Sequence, residues 1–154
     1  MEMIGEQSIA AAQSATWHAL NDLEVLKSCI PGCESIVAAG ENQFDVALTA
    51  KVGPVSAKFK GKLTLADLNP PNSYNLSFEG QGGVAGFAKG SAQVSLAPDA
   101  AGTKLSYAVK ANVGGKLAQI GSRLIDGAAK KLADQFFSAF NKHVSAAPEG
   151  GKSS

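Results

Sequence analysis

The chain is poor in the side chains that usually build chemical centres. Its 154 residues include two histidines, two cysteines and one tryptophan. A structural zinc site needs four Cys or His ligands, and Cys29 and Cys33 have only His18 near them in sequence, so no metal site is expected. Two cysteines are also too few for a disulfide framework, and both are read as structural residues bracketing an Ile30-Pro31-Gly32 loop. Charge is scarce as well, at 18% of residues with a net charge of +1, which leaves no basic field for nucleic acid. The N-terminus, Met1-Glu2-Met3-Ile4-Gly5-Glu6, lacks the basic start and apolar stretch of a signal peptide. The most extended helical pattern carries Lys116, Arg123, Asp126, Lys130, Lys131 and Asp134 and cannot cross a bilayer unaided. A cytoplasmic location is the expectation.

No catalytic constellation emerges either. His143 falls in the last helical turn, where a cation suits the helix dipole, and His18 sits beside Trp17 as a packed or solvated residue. Glu41, Asp45, Asp67 and Glu79 lie on polar strand faces or in turns, and alternation does not make them converge. The chain reads as a binding or docking module rather than an enzyme.

What is present is alternation. Phe44, Val46, Leu48, Ala50 and Val52 share one face, and Gly53-Pro54 turns the chain. Val55, Ala57, Phe59, Gly61, Leu63 and Leu65 point inward opposite Ser56, Lys58, Lys60, Lys62 and Thr64, until Asn69-Pro70-Pro71-Asn72 breaks the strand. Further strands carry Tyr74, Leu76, Phe78 and Gly80; Val84 through Leu96 at every second position; and Leu105, Tyr107, Val109, Ala111 and Val113. Short connections make these an antiparallel meander with one solvated face. Glu2 to Ile9 is read as a first strand. Short helices are expected over Ser14–Asn21, with Ser14 able to cap, and over Leu23–Ser28.

At Gly114-Gly115 the period changes. Leu117, Ile120, Leu124, Ile125, Ala128, Leu132, Phe136, Phe137, Phe140 and Val144 recur at helical steps. One helix from about Lys116 to Val144 would span roughly 43 Å, enough to cross a seven-stranded sheet roughly 30 Å wide. Residues 1–146 are read as one domain and 147–154 as a short polar tail.

Four features invite functional readings. Gly80-Gln81-Gly82-Gly83-Val84-Ala85 fits a dinucleotide fingerprint, but a strand, not a helix, is expected to follow, so a glycine hairpin is the better reading. Gly61, Gly80, Gly86, Ala88, Gly90 and Ala92 make the inner face small-sided, which allows either close approach of the helix or an internal cavity. Phe87 has the wrong parity for the interior and is a contact candidate. Lys58, Lys60 and Lys62 form an outer basic stripe, read as solvation or edge protection, or as attraction to an anionic surface.

The order of strand, two short helices, meander and long helix is similar to the helix-grip fold of the START and birch-pollen-allergen superfamily. Trp17-His18-Ala19-Leu20-Asn21-Asp22, Cys29-Ile30-Pro31-Gly32-Cys33-Glu34, Lys51-Val52-Gly53-Pro54-Val55, Phe59-Lys60-Gly61-Lys62, Gly86-Phe87-Ala88-Lys89-Gly90 and the run from Gly114 to Ile125 resemble the CoxG family of carbon monoxide dehydrogenase subunits. The resemblance implies an α+β fold: a curved antiparallel seven-stranded sheet around a long C-terminal helix, with two short helices after the first strand. It implies an accessory protein that recruits or matures a molybdenum hydroxylase of the carbon monoxide dehydrogenase type, with peripheral contact at the inner face of the cell membrane. No cofactor is expected, but a lipid or quinone is the natural guest of an apolar cavity.

The expected lining is Leu48, Phe59, Leu63, Phe78, Gly86, Val94, Tyr107, Leu117, Ile120 and Leu124, with the Tyr107 hydroxyl as polar anchor. Ile30, Pro31, Gly32 and Phe87 are the expected mouth or partner contacts. Two rival readings stand beside this one. A closed core would make the chain a protein-interaction module, and polar groups projecting inward would make it a cyclase- or aromatase-like enzyme.

Overall fold

The computed structural model describes residues 1–146, so the tail read over 147–154 lies outside the described residues. Strand β1 (Glu2–Ile9) leads into helices α1 (Gln13–Leu20) and α2 (Leu23–Cys29). Six strands follow: β2 (Cys33–Gly40), β3 (Gln43–Val52), β4 (Val55–Asn69), β5 (Ser73–Gln81), β6 (Phe87–Asp99) and β7 (Gly102–Gly114). Helices α3 (Lys116–Gln119) and α4 (Ser122–Ala146) close the described chain. The seven strands form one antiparallel sheet in the order β1-β7-β6-β5-β4-β3-β2. Each meander strand pairs with its successor, and β1 returns to β7, so β1 and β2 are the edges.

Three elements differ from the sequence expectation, and a fourth, β2, carried no alternation to read. Strand β2 has no clear alternation: Ile36 is its one buried residue, and register shifts interrupt its pairing at Cys33/Ser35 and Ala38/Gly40. The strand expected from Val84 starts at Phe87, because Gly83–Ala85 form a 3-10 turn. The long helix is broken. Gly121 has φ +94°, a conformation that L side chains avoid, and separates α3 from α4. At 25 residues, α4 is about 37 Å long and still crosses the sheet. Helix α1 also begins one residue earlier than expected. Ala12 sits at its N-cap without a side-chain bond, whereas Asp22 caps α2 by accepting from the Glu24 N–H at 2.9 Å.

The small inner residues have a reason that close helix packing does not supply. A Cβ on Gly61 would lie 2.2 Å from the Glu79 carbonyl oxygen, and one on Gly90 would lie 2.1 Å from that of Lys110. The obstacle is in each case the backbone of a neighbouring stretch of sheet, not the helix. These glycines let the sheet bend tightly enough to grip α4.

The core is densest where the C-terminal half of α4 meets the start of the chain. Phe140, Ile9 and Leu105 are fully buried, and Trp17, Leu20, Tyr74, Val94, Leu96 and Val144 join them. Asn141 pins the helix there: its Nδ2 donates to the Ser8 carbonyl at 2.8 Å, and its Oδ1 accepts from the Ala10 N–H at 2.9 Å. Below it the buried Thr103 Oγ1 donates to the Ala11 carbonyl at 2.7 Å, with Thr16 Oγ1 3.3 Å away. Thr103→Val keeps the shape but removes the shorter of the two bonds to the Ala11 carbonyl, leaving it only Thr16 Oγ1 at 3.3 Å. It should destabilise the protein by about 1–3 kcal/mol, and thermal denaturation should show a fall of about 2–4 °C per kcal/mol.

Candidate functional site

Away from the pinned end, α4 and the sheet stand apart. Two contiguous chambers lie between them, with volumes of about 400 and 290 Å³. The outer chamber is bounded by Leu48, Ala50 and Val52 of β3, Phe78, Ala88, Ala111 and Val113 of the central strands, Leu117 of α3, and Ile125, Ala128, Ala129 and Leu132 of α4. The inner chamber is bounded by Leu20, Asn21, Leu23 and Leu26 around α1 and α2, by Phe44, Leu63, Leu65, Tyr74, Leu76, Ala92, Val94, Leu105 and Tyr107 of the sheet, and by Phe137. Met3, Ile30, Val109, Ala133 and Phe136 line both. Alanines on the strands and on α4 leave this volume, since a leucine or phenylalanine at the same places would fill it.

The residues expected to line a cavity divide into two groups. Leu48, Phe78 and Leu117 border the outer chamber, and Leu63, Val94 and Tyr107 border the inner one. Phe59, Gly86, Ile120 and Leu124 border neither. The Phe59 ring lies over Gly82, where an added Cβ would sit 2.5 Å from its Cε1. Gly86, at φ +109°, touches the Gly114 backbone so closely that a Cβ would be 2.0 Å from the Gly114 oxygen. Ile120 and Leu124 reach past the chamber to Gly53 at the tip of the β3–β4 hairpin. Phe59 has inward parity, but its ring turns over Gly82 rather than into a chamber, and Leu124 is 51% exposed.

Of the expected mouth residues, Ile30 and Pro31 line the outer chamber. Gly32 does not line it. It ties the loop to β3, its carbonyl accepting from the Thr49 N–H at 2.9 Å. Phe87 is 37% exposed and covers Gly114, its partner across the β6–β7 ladder.

Tyr107 is poorly placed as a polar anchor. Its ring stacks on Phe137 with centroids 5.4 Å apart and lies over Gly5, where an added Cβ would be 2.3 Å from the hydroxyl oxygen. That hydroxyl faces the β1 edge, beside a surface groove that includes Lys130 and Asp134. Tyr74, which sequence reasoning placed on the inner face but did not single out, is the deeper phenol. Trp17 meets its ring edge-to-face at 5.4 Å, and no described residue hydrogen-bonds its hydroxyl. Burial pushes its pKa up to about 12.

The remaining candidates are quieter. Burial raises the Cys29 and Cys33 thiols above their ordinary value, which makes them poor nucleophiles at neutral pH. Among the described residues no group of three or more His, Cys, Asp or Glu could hold a metal. His18 Nδ1 donates to the Ser14 carbonyl at 2.8 Å within α1. The basic stripe is matched by acids: Glu34 pairs with Lys58 at 3.5 Å, and Asp45 and Glu79 flank Lys62 in register. Gly83–Ala85 turns directly into β6, so the glycine string has no helix N-terminus for a pyrophosphate. No described helix is long and apolar enough to cross a membrane.

The family model for CoxG, described as a carbon monoxide dehydrogenase subunit, matches residues 5–145. A crystal structure described as a conserved protein from Geobacillus kaustophilus is 32% identical, with a TM-score of 0.89 over 94% of this chain and 95% of that one. Ara h 8.0201 superposes with a TM-score of 0.69 at 16% identity, over 96% of this chain and 99% of that one. Zhui aromatase/cyclase from a Streptomyces species superposes with a TM-score of 0.64 at 12% identity, over 94% and 93%. The last two likenesses concern the helix-grip fold alone. No curated protein matches the sequence.

Tyr74 gives a pH prediction. Below pH 10 its phenol is neutral in folded and unfolded chains alike. Between about 10 and about 12 the unfolded chain ionises it while the folded one holds the proton. Deprotonation then favours the unfolded state, and stability falls as pH rises through that window. Denaturant titrations should show this loss, with a slope of up to about 1.4 kcal/mol per pH unit from this group. In Tyr74→Phe that part of the slope should vanish.

Proposed function

The chain belongs to the CoxG family of carbon monoxide dehydrogenase subunits, and on that premise we propose that it is an accessory protein that carries an apolar guest, a lipid or a quinone, for a molybdenum hydroxylase of the carbon monoxide dehydrogenase type. The observation that carries this reading is the pair of contiguous chambers, whose polar side chains are Asn21, Tyr74 and Tyr107 alone. A volume of this size and apolarity suits an acyl or isoprenoid chain and offers little to a charged metabolite. It counts against a closed-core interaction module. The same three polar groups supply no acid–base pair for cyclase-type chemistry.

The membrane side of the proposal rests on the end where α3 and α4 meet the strand turns. Val84 is 86% and Leu124 51% exposed there, and Lys51, Lys116 and Arg123 flank the same turns in sequence. Apolar tips among cations suit an anionic bilayer, and the outer chamber lies at the same end. The protein would collect its guest there and bring the hydroxylase to it.

Native mass spectrometry of protein purified from its own cells should find a co-purifying lipid or quinone. Ala133→Phe, which builds a ring into the wall common to both chambers, should abolish that mass while far-ultraviolet circular dichroism stays unchanged. A parent protein that carries no apolar molecule would sink the carrier reading. For the membrane step, sedimentation with phosphatidylglycerol vesicles should recover the parent protein, and the double variant Val84→Asp, Leu124→Asp should bind at least several-fold less. Equal recovery with purely zwitterionic vesicles would remove the electrostatic part of the argument.

A further inference from the structure

We propose that Tyr74 is the hydrogen-bond donor that sets the ligand class of the inner chamber: a neutral, mainly apolar molecule bearing one acceptor oxygen of the carbonyl type, seated with that oxygen on the Tyr74 hydroxyl. The inference rests on the carrier reading above and narrows it.

A phenol taken out of water needs a partner, and leaving it unpaired costs the desolvation of the group. The Tyr74 hydroxyl has no partner among the described residues. The ring cannot readily swing to find one. Its backbone is fixed opposite Val94 in the β5–β6 ladder, and Trp17 holds its ring from one side. It is buried, and it borders the inner chamber. The other polar donors around that chamber are engaged or lie nearer the sheet edge. Asn21 Nδ2 donates to the Trp17 carbonyl at 2.9 Å, and the Tyr107 hydroxyl lies over Gly5 at the sheet edge.

The lining then discriminates by charge and by polarity. It contains no Lys, Arg or His, so an ionised carboxylate or phosphate seated there would lose its hydration with no countercharge to replace it. A pure hydrocarbon would enter but leave the phenol unpaired. A neutral molecule with an acceptor oxygen satisfies the phenol and fills the apolar space together, which is how a buried donor rejects analogues lacking the acceptor. The outer chamber, continuous through Met3, Val109 and Ala133, takes the rest of the molecule towards the Ile30-Pro31 loop.

The test uses the full chain and a matched pair of probes, methyl undecyl ketone and tridecane, each displacing Nile red from the parent and from Tyr74→Phe. In the parent, ketone binding should shift the emission of Trp17, the only tryptophan, because the donor it packs against becomes engaged. The variant should bind the ketone about five- to tenfold more weakly and bind tridecane no worse. If the ketone binds both proteins equally well and leaves Trp17 emission unmoved, the anchor is refuted and the carrier reading stands. If neither probe displaces the dye from the parent, the carrier reading falls and the anchor with it.

Discussion

Asn141 and Phe140 divide the molecule. Phe140 is fully buried among Ile9, Trp17 and Leu105, and Asn141 closes two hydrogen bonds onto the end of β1. Together they fix the C-terminal half of α4 to the sheet and to the turn leading into α1. Among the described residues, no side chain in the N-terminal half of α4 hydrogen-bonds the sheet; Lys130 and Asp134 pair only with each other. One end of the grip is therefore a close-packed core, where cutting back a side chain such as Phe140 would cost about 3–5 kcal/mol. The other end is where the chambers lie.

That hollow comes from two separate sets of small residues. Gly61 and Gly90 serve the curvature of the sheet, since backbone from the next strand occupies the space a Cβ would need. Ala50, Ala88, Ala111, Ala128, Ala129 and Ala133 serve the volume, since they line it from both layers. An apolar guest that binds only the folded chain would stabilise it, which couples occupancy to stability through mass action.

Much of this was legible in the sequence, and the rest was hidden for physical reasons. Strands β3 to β7 alternate cleanly because one face is buried and the other solvated. Strand β2 buries only Ile36 and is interrupted twice, so its pattern never settles. The break at Gly121 was hidden because Leu117, Ile120 and Leu124 keep the helical period across it; periodicity records which face is apolar, not whether the backbone is continuous. Parity likewise assigns a face but not the direction a side chain takes along it. Phe59 and Leu63 share an inward face, yet the Phe59 ring turns over Gly82 while Leu63 borders the inner chamber. The choice between Tyr74 and Tyr107 needed register. Only the pairing of Tyr107 with Gly5 shows that its ring covers a glycine at the sheet edge, leaving Tyr74 as the deep phenol.

The position of that phenol fits the asymmetry of the grip. Tyr74 lies beside Trp17 and Val94, where the inner chamber abuts the closed core. Widening the grip at that end would break both Asn141 bonds and expose Phe140. At the other end a backbone bond from Thr49 to Gly32 ties the Ile30-Pro31-Gly32 loop to β3, and Gly121 interrupts the helix between α3 and α4. The less costly displacement therefore lies at the end carrying Val84 and Leu124, farthest from the donor. A guest that enters there passes the apolar outer chamber first and meets a hydrogen-bond donor only when fully seated. Affinity from the body of the ligand and selectivity from its oxygen are thus separated along one path, with the selective step at the rigid end of the fold.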